Sequence, residues 1–279
     1  MNQLLVVNKP AGYTSRDVIN KLSKIFNYKK IGHTGTLDPI ASGVLVCLFG
    51  KYTRLGNLIT ALDKEYIAKI KLGIKTDTLD ITGNIIEENS KKITKEEIIK
   101  VLNEFPKSYN QTVPKYSAVR INGKRLYEYA RNNIDIKLPT RTVNIYNLEL
   151  IDFKDDEITF KASVSKGTYI RSLIDDICKK LNTVGTMKEL TRTKQGSFDI
   201  KDSYTIDEII NNKFKFQNIH EFLDYPEINI SDKYLKLVLN GAKIPNIFNI
   251  KDKVIFKHEN KDIAIYENIN ETLKPYVMF

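Results

Sequence analysis

Two hydrophobic rhythms run along this chain. Residues 4–7 and 44–49 are uninterrupted apolar runs, the pattern of short buried strands. Residues 64–72 alternate instead: Tyr66, Ala68, Ile70 and Leu72 fall on one face, Lys69 and Lys71 on the other, so Tyr66 points toward whatever the sheet covers. The helical rhythm appears after Thr14-Ser15, either of which can cap a helix whose Val18, Ile19, Leu22, Ile25 and Phe26 share one face. It returns after Thr94-Lys95-Glu96-Glu97, a capping box opening an amphipathic helix over 98–105. Residues 143–153 and 158–164 predict two strands joined through Lys154-Asp155-Asp156 as a hairpin. A strand-to-helix junction follows at 165–176, where Gly167 permits the turn and the helix start favours anions. Tyr225-Pro226 reads as a boundary. Beyond it, strand-like pieces at 254–256 and 263–266 and the turn Asn240-Gly241 predict a small β domain over 226–279, behind a larger domain over 1–225.

Composition narrows the partner. Lys plus Arg number 44 against 34 Asp plus Glu, a net +10, which favours a polyanion; a lysine-rich composition spread over the whole chain would give the same balance. Cys47 lies in an apolar run and Cys178 on a predicted helix, so both are expected to be buried thiols without a disulfide framework. His33, His220 and His258 are scattered and no metal-ligand spacing occurs, so no metal is expected. The polar N-terminus and the lack of a long apolar run predict a cytoplasmic protein that does not enter a membrane.

The stretch with chemical promise is Gly32-His33-Thr34-Gly35-Thr36-Leu37-Asp38-Pro39-Ile40-Ala41-Ser42-Gly43-Val44-Leu45. It sets a lone carboxylate in a glycine-punctuated turn ahead of an apolar strand. Asp38-Pro39 is also how an ordinary helix begins, with Asp as cap, Pro as first residue and Gly43 as a stop after one turn. Gly50-Lys51-Tyr52-Thr53 does not make a phosphate loop, and Ala41-Ser42-Gly43 lacks the flanks of a nucleophile elbow. Residues 111–131 interleave aromatics with cations, a pattern that suits RNA and equally a solvated helix with a tyrosine stripe.

The run GHTGTLDPIASGVL closely resembles the signature loop of the TruB family, the stand-alone tRNA pseudouridine synthases. Asn8 to Ser15 resembles the family's opening motif, KEYIAKIKLGIKTDTLD its second and KGTYIRSL its third. The segment from Glu189 to Phe198 resembles the last. The resemblance implies an α+β fold, a mixed and largely antiparallel sheet with flanking helices, and a small PUA-like C-terminal β domain. It makes Asp38 the nucleophile and stacks Tyr66 on the target base. Leu190 becomes the apolar wall of the base pocket, and Tyr169 and Arg171 are brought beside the aspartate. His33 would fill the space a flipped nucleotide vacates, or touch the RNA backbone. Residues of about 111–141 would wedge into the RNA loop. The chain departs from the family pattern at Arg120, where Lys is usual, at Asn132 for Gly and at Thr191 for Arg. Only Thr191 puts a contact in doubt.

Uridine 55 in the T-loop of tRNA is the implied target, handled by a monomer without cofactor or metal. Converting uridine to pseudouridine breaks an N-glycosidic bond, turns the base and forms a C–C bond with no net redox change. A carboxylate can attack C1′, add to C6, or assist departure of the base to give a glycal; the sequence leaves all three open. Arg171 would oppose the cost of burying Asp38, or, read from spacing alone, would pair with Asp175 four residues on. Tyr169, Tyr66 and water compete for relaying the C5 proton. A non-catalytic RNA-binding or tRNA-folding protein and a guide-RNA-dependent synthase are the alternatives. An intact Asp38, Tyr66 and Arg171 set argues against the first, and the short C-terminal domain against the second.

Overall fold

A computed structural model describes residues 1–89, 91–132 and 134–279. The first strand, Gln3–Lys9, lies antiparallel to Ser42–Phe49, and both are apolar without interruption because both of their faces are covered. Leu5, Val7, Leu45 and Cys47 pack on Val18, Ile19 and Leu22 of helix Ser15–Ile25. Leu4, Val6, Val44 and Val46 face the other way, onto Ile255, Ile265 and Val277 of a C-terminal sheet. Each aliphatic side chain so enclosed contributes roughly 1.5–3 kcal/mol. The expected strands over 4–7 and 44–49 thus appear, extended by a residue or two.

Among the described residues, nine strands form the main sheet. Its order runs Gln3–Lys9, Ser42–Phe49, Gly185–Gln195, Lys64–Leu72, Glu157–Val164, Thr140–Lys154, Ser108–Thr112, with two short strands, Ile31–His33 and Phe198–Asp199, pairing alongside. All pairings are antiparallel except that of Ser42–Phe49 with Gly185–Gln195. The alternating segment is strand Lys64–Leu72, with every second residue buried, as its rhythm predicts. Its buried face carries Tyr66, Ala68 and Ile70 under Ile98 and Leu102 of helix Lys95–Asn103 and under Ile170, Leu173 and Ile177 of helix Ile170–Lys180. Thr14 and Thr94 both close capping boxes, with Asp17 and Glu97. The acidic turn after Lys154 joins the expected hairpin, with Asp155 and Asp156 both at positive φ.

Among the described residues the C-terminal sheet has five strands, ordered Glu227–Asn229, Lys253–His258, Lys261–Ile269, Thr272–Met278, Ile244–Pro245. Helix Asp232–Leu239 closes it over Val254, Phe256 and Tyr266. This is the α+β architecture with a small β unit that the sequence led us to expect. The alternative reading of Asp38-Pro39 as a helix start does not hold. Residues 38–41 form a single turn closed by the Ala41 amide donating to the Asp38 carbonyl at 3.0 Å, and strand Ser42–Phe49 begins at once.

Candidate active site

The loop over 34–41 connects strands Ile31–His33 and Ser42–Phe49, and it is pinned along its whole length. At its start the Thr34 amide donates to the Val46 carbonyl at 3.0 Å, and Gln195 Nε2 donates to Thr34 Oγ1 at 3.1 Å. The fully buried Arg192 spans the loop's two stems, donating from Nη2 to the Gly35 carbonyl at 3.0 Å and from Nε to the Val44 carbonyl at 2.7 Å. In the middle, the Leu37 amide donates to Ser15 Oγ at 2.9 Å. Beyond Asp38, the Pro39 carbonyl accepts from the Gly12 amide at 2.8 Å and from Lys9 Nζ at 3.4 Å. Gly43 fixes the exit: a Cβ there would lie 2.2 Å from the Arg192 carbonyl oxygen, so only glycine lets the parallel strands meet at that point. The helix stop that the alternative reading assigned to Gly43 is replaced by this close approach.

Held this way, Asp38 meets Arg171. The guanidinium Nη2 donates to Asp38 Oδ1 at 3.3 Å, and Nε stands 3.0 Å from Oδ2 in an ion-pair contact, so both carboxylate oxygens face the same guanidinium. Arg171 is itself fixed from behind. Its Nη1 donates to the Thr78 carbonyl at 3.0 Å, its Nη2 also to the Tyr116 carbonyl at 2.9 Å, and a second carboxylate, Asp80, stands 3.7 Å from Nη1. Asp80 is buried and accepts from Thr78 Oγ1, the Thr82 amide and Thr82 Oγ1. The i,i+4 pairing of Arg171 with Asp175 does not form; Lys75 and Lys179 each reach Asp175 at 2.6 Å.

Asp38 and Arg171 open onto a cavity of about 1010 Å³. Register explains its apolar floor: Tyr66 lies opposite Arg192 and Ala68 opposite Leu190, so Tyr66 and Leu190 are diagonal neighbours on one face of the sheet, and both line the cavity. Tyr169 caps helix Ile170–Lys180 in the cavity wall, its amide donating to Gln111 Oε1 at 2.8 Å and its carbonyl accepting from Gln111 Nε2 at 3.1 Å. Tyr116, Ser117 and Tyr127 of the aromatic and basic segment complete the rim. Asp38, Tyr66, Tyr169, Arg171 and Leu190 are therefore brought together. His33 is not among the lining residues: it sits at the base of the loop, where burial, and then Arg16 and Arg192, hold its imidazole below the ordinary range and so neutral at pH 7.

Four side chains that sequence reasoning passed over hold this arrangement: Lys9, Ser15, Asp80 and Arg192. Only Asp80 carried a local signal, its place between Thr78 and Thr82 in a turn.

Two models of one family divide most of the chain: the N-terminal domain of TruB family pseudouridylate synthase matches residues 23–170, and the tRNA pseudouridylate synthase B C-terminal domain matches 171–236. This chain belongs to the TruB family. Among TruB relatives, one from Fusobacterium nucleatum named tRNA pseudouridine synthase B is 42% identical over 99% of both chains. Those of the same name from Clostridium tetani and Caldanaerobacter subterraneus subsp. tengcongensis are 40% and 39% identical, each over at least 98% of both chains. A solved Cbf5–Nop10–Gar1 complex contains a chain with TM-score 0.73 at 26% identity, matched over 99% of this chain and 84% of that one. A chain of an H/ACA ribonucleoprotein bound to a substrate RNA shares the fold, with TM-score 0.71 at 23% identity over 99% and 83%. As a TruB member the chain is a pseudouridine synthase, an isomerase. No helix among the described residues is long and apolar enough to cross a membrane.

Proposed function

We propose that this chain isomerises uridine 55 in the T-loop of tRNA to pseudouridine, with Asp38 as the nucleophile. One observation carries the reading: a carboxylate gripped in two places by a buried guanidinium, at the edge of a cavity floored by Tyr66 and Leu190. Pure RNA binding has no use for that arrangement. The relatives that match nearly end to end are named for tRNA, which supports the substrate class and a stand-alone enzyme over a guide-RNA-dependent one.

The target base is stacked inside the RNA loop, so it must be turned out, costing a few kcal/mol that stacking on Tyr66 and phosphate contacts offset. With Tyr66 and Leu190 side by side as its apolar floor, the uracil is held while its N1–C1′ bond breaks, the ring turns, and C5 bonds to C1′. Arg171 keeps one Asp38 oxygen aimed at the reacting centre, whether attack is at C1′ or C6 or a glycal intervenes. Tyr169 is a candidate for relaying the C5 proton, against Tyr66 and water, and the loop-base His33 for contacting the RNA from outside the cavity. We assign residues 1–225 to catalysis, with about 111–141 as the RNA wedge, and 226–279 to a PUA-like domain; the enzyme works as a cytoplasmic monomer.

The test is purified chain with an unmodified tRNA transcript, followed by chemical mapping of pseudouridine, for wild type and Asp38→Asn. Wild type is expected to modify position 55 alone, and the variant to bind the transcript without forming product. Product from Asp38→Asn would remove Asp38 from its role.

A further inference from the structure

The cavity is larger than one base requires and its charge is lopsided. At about 1010 Å³ it reaches the upper end of the range for ligand sites, roughly 300–1,000 Å³. Lys64, Arg141, Lys166, Arg171 and Arg192 line it against a single carboxylate, Asp38. Arg171 is committed to Asp38 and Asp80, but among the described residues no carboxylate forms an ion pair with the other four cations.

Lys64 feels both Arg192 and Lys166, and Arg141 lies against Gly167 beside Lys166, so the four form one cationic group along the cavity wall, two of them buried. Arg192 is 1% exposed, and its Nη1 has no acceptor among the described residues. Lys64, 8% exposed, donates to the Thr60 carbonyl at 2.6 Å and to that of Leu62; burial, and then Arg192, push its ammonium down to about 8, with Lys166 adding to the effect. Arg141 lies over the Tyr169 ring, 5.3 Å from its centroid, and against Gly167. Gly167 has φ +82°, and a Cβ there would stand 3.1 Å from Arg141 Nη1, so the missing side chain is what admits the guanidinium. Lys166, next in the chain, is exposed and has no hydrogen-bond partner among the described residues. Gathering buried cations without a counter-charge is expensive unless an anion arrives to meet them.

We propose that Arg141 and Lys166, backed by the buried Arg192 and Lys64, form a phosphodiester-binding site that grips the RNA backbone beside the flipped nucleotide. This rests on the reading of the chain as an RNA-modifying enzyme and adds to it the place where the backbone is held. Arg141 and Lys166 make the direct contacts; Arg192 and Lys64 supply the field and keep their carbonyl partners. Because Arg141 also lies on the Tyr169 ring, neutralising that phosphate ties backbone binding to the wall of the base pocket.

The experiment measures binding of a T-arm RNA hairpin by the full chain as a function of salt, for wild type, Lys166→Gln, Arg141→Gln and Arg141→Lys. Each lost phosphate contact lowers the slope of log K against log salt by about 1. Lys166→Gln and Arg141→Gln are expected to lose about one each and to raise KM about tenfold; Arg141→Lys keeps the slope. Hairpins carrying one neutral methylphosphonate linkage then identify the partner. The linkage next to the target uridine is expected to weaken wild-type binding about tenfold and to cost the Arg141→Gln variant little more. Unchanged salt slopes in both glutamine variants, or losses that multiply for every neutral linkage, would overturn the site. Lys166 is exposed and unpaired among the described residues, so its variant tests the idea without threatening the fold. Binding is read apart from product, so persistence of product with Asp38→Asn would sink the nucleophile and leave this measurement standing.

Discussion

Replacing Arg171 by lysine keeps a positive charge beside Asp38 and removes the fork. Asp38 has 35% of its side chain exposed, so the bare Coulomb attraction is partly screened and geometry must carry the rest. In the structure Nη2 donates to the carboxylate at 3.3 Å with Nε 3.0 Å from its other oxygen, and further bonds at 3.0 and 2.9 Å run to the Thr78 and Tyr116 carbonyls. A lysine ammonium is a point charge that cannot present this planar set. Losing one charged bond to Asp38 costs about 1.5 kcal/mol, roughly tenfold in rate. The freed carboxylate also loses its aim, and a displacement of about 1 Å is worth about 100-fold. Together these predict a fall of about 1,000-fold in single-turnover pseudouridine formation on an unmodified tRNA transcript. The two carbonyls left short of a donor should lower stability by about 1–3 kcal/mol, seen as a melting midpoint several degrees lower. Rate and melt would be followed on the same preparation. A rate within about tenfold of wild type, with an unchanged melt, would show that Arg171 acts as a charge only, and the argument from the fork would fail.

Two further outcomes follow from the groups behind the pair. Asp80→Asn keeps the shape accepted by Thr82 but removes the second carboxylate, 3.7 Å from Arg171; kcat is expected to fall about tenfold with KM little changed, and a KM effect alone would mean that Asp80 serves RNA binding. Burial holds Lys9 at about 8, against an ordinary 10.5, so between about pH 8 and 10 the unfolded chain binds the proton the folded chain has lost, and stability rises with pH. Urea unfolding of wild type and Lys9→Met from pH 7 to 10 should therefore show a steeper rise in the wild type than in the variant, which keeps only the share of the similarly shifted Lys64; parallel profiles would refute it.

The sequence foretold the parts of this molecule whose physics is local. Strict alternation put Tyr66 on the buried face, and two threonine caps marked helix starts, although the second helix, expected over 98–105, runs Lys95–Asn103. Motif resemblance picked out Asp38, Tyr66, Tyr169, Arg171 and Leu190, which the fold gathers around one cavity. The central strand Gly185–Gln195 escaped pattern reading because its rhythm is broken by bulges and carries an arginine in the core. The anchors of the loop escaped for a different reason. Arg192 and Gly35 are 157 residues apart, and the contact is to a backbone carbonyl, which leaves no trace in residue type at the receiving end.

Arg171 shows how tertiary competition overrides local spacing. Four residues from Asp175 on the same helix, it has the separation for an ion pair worth a few tenths of a kcal/mol. The structure gives Asp175 to Lys75 and Lys179 instead and leaves the guanidinium to face a carboxylate from a loop 133 residues away. The long-range pair prevails because both carboxylate oxygens lie within 3.3 Å of the guanidinium, with the Thr78 and Tyr116 carbonyls taking up further protons in a place where an unpaired guanidinium would be costly. The same buried fork that satisfies Arg171 fixes the direction of Asp38, so the stability of this corner and the aim of its carboxylate depend on one set of contacts.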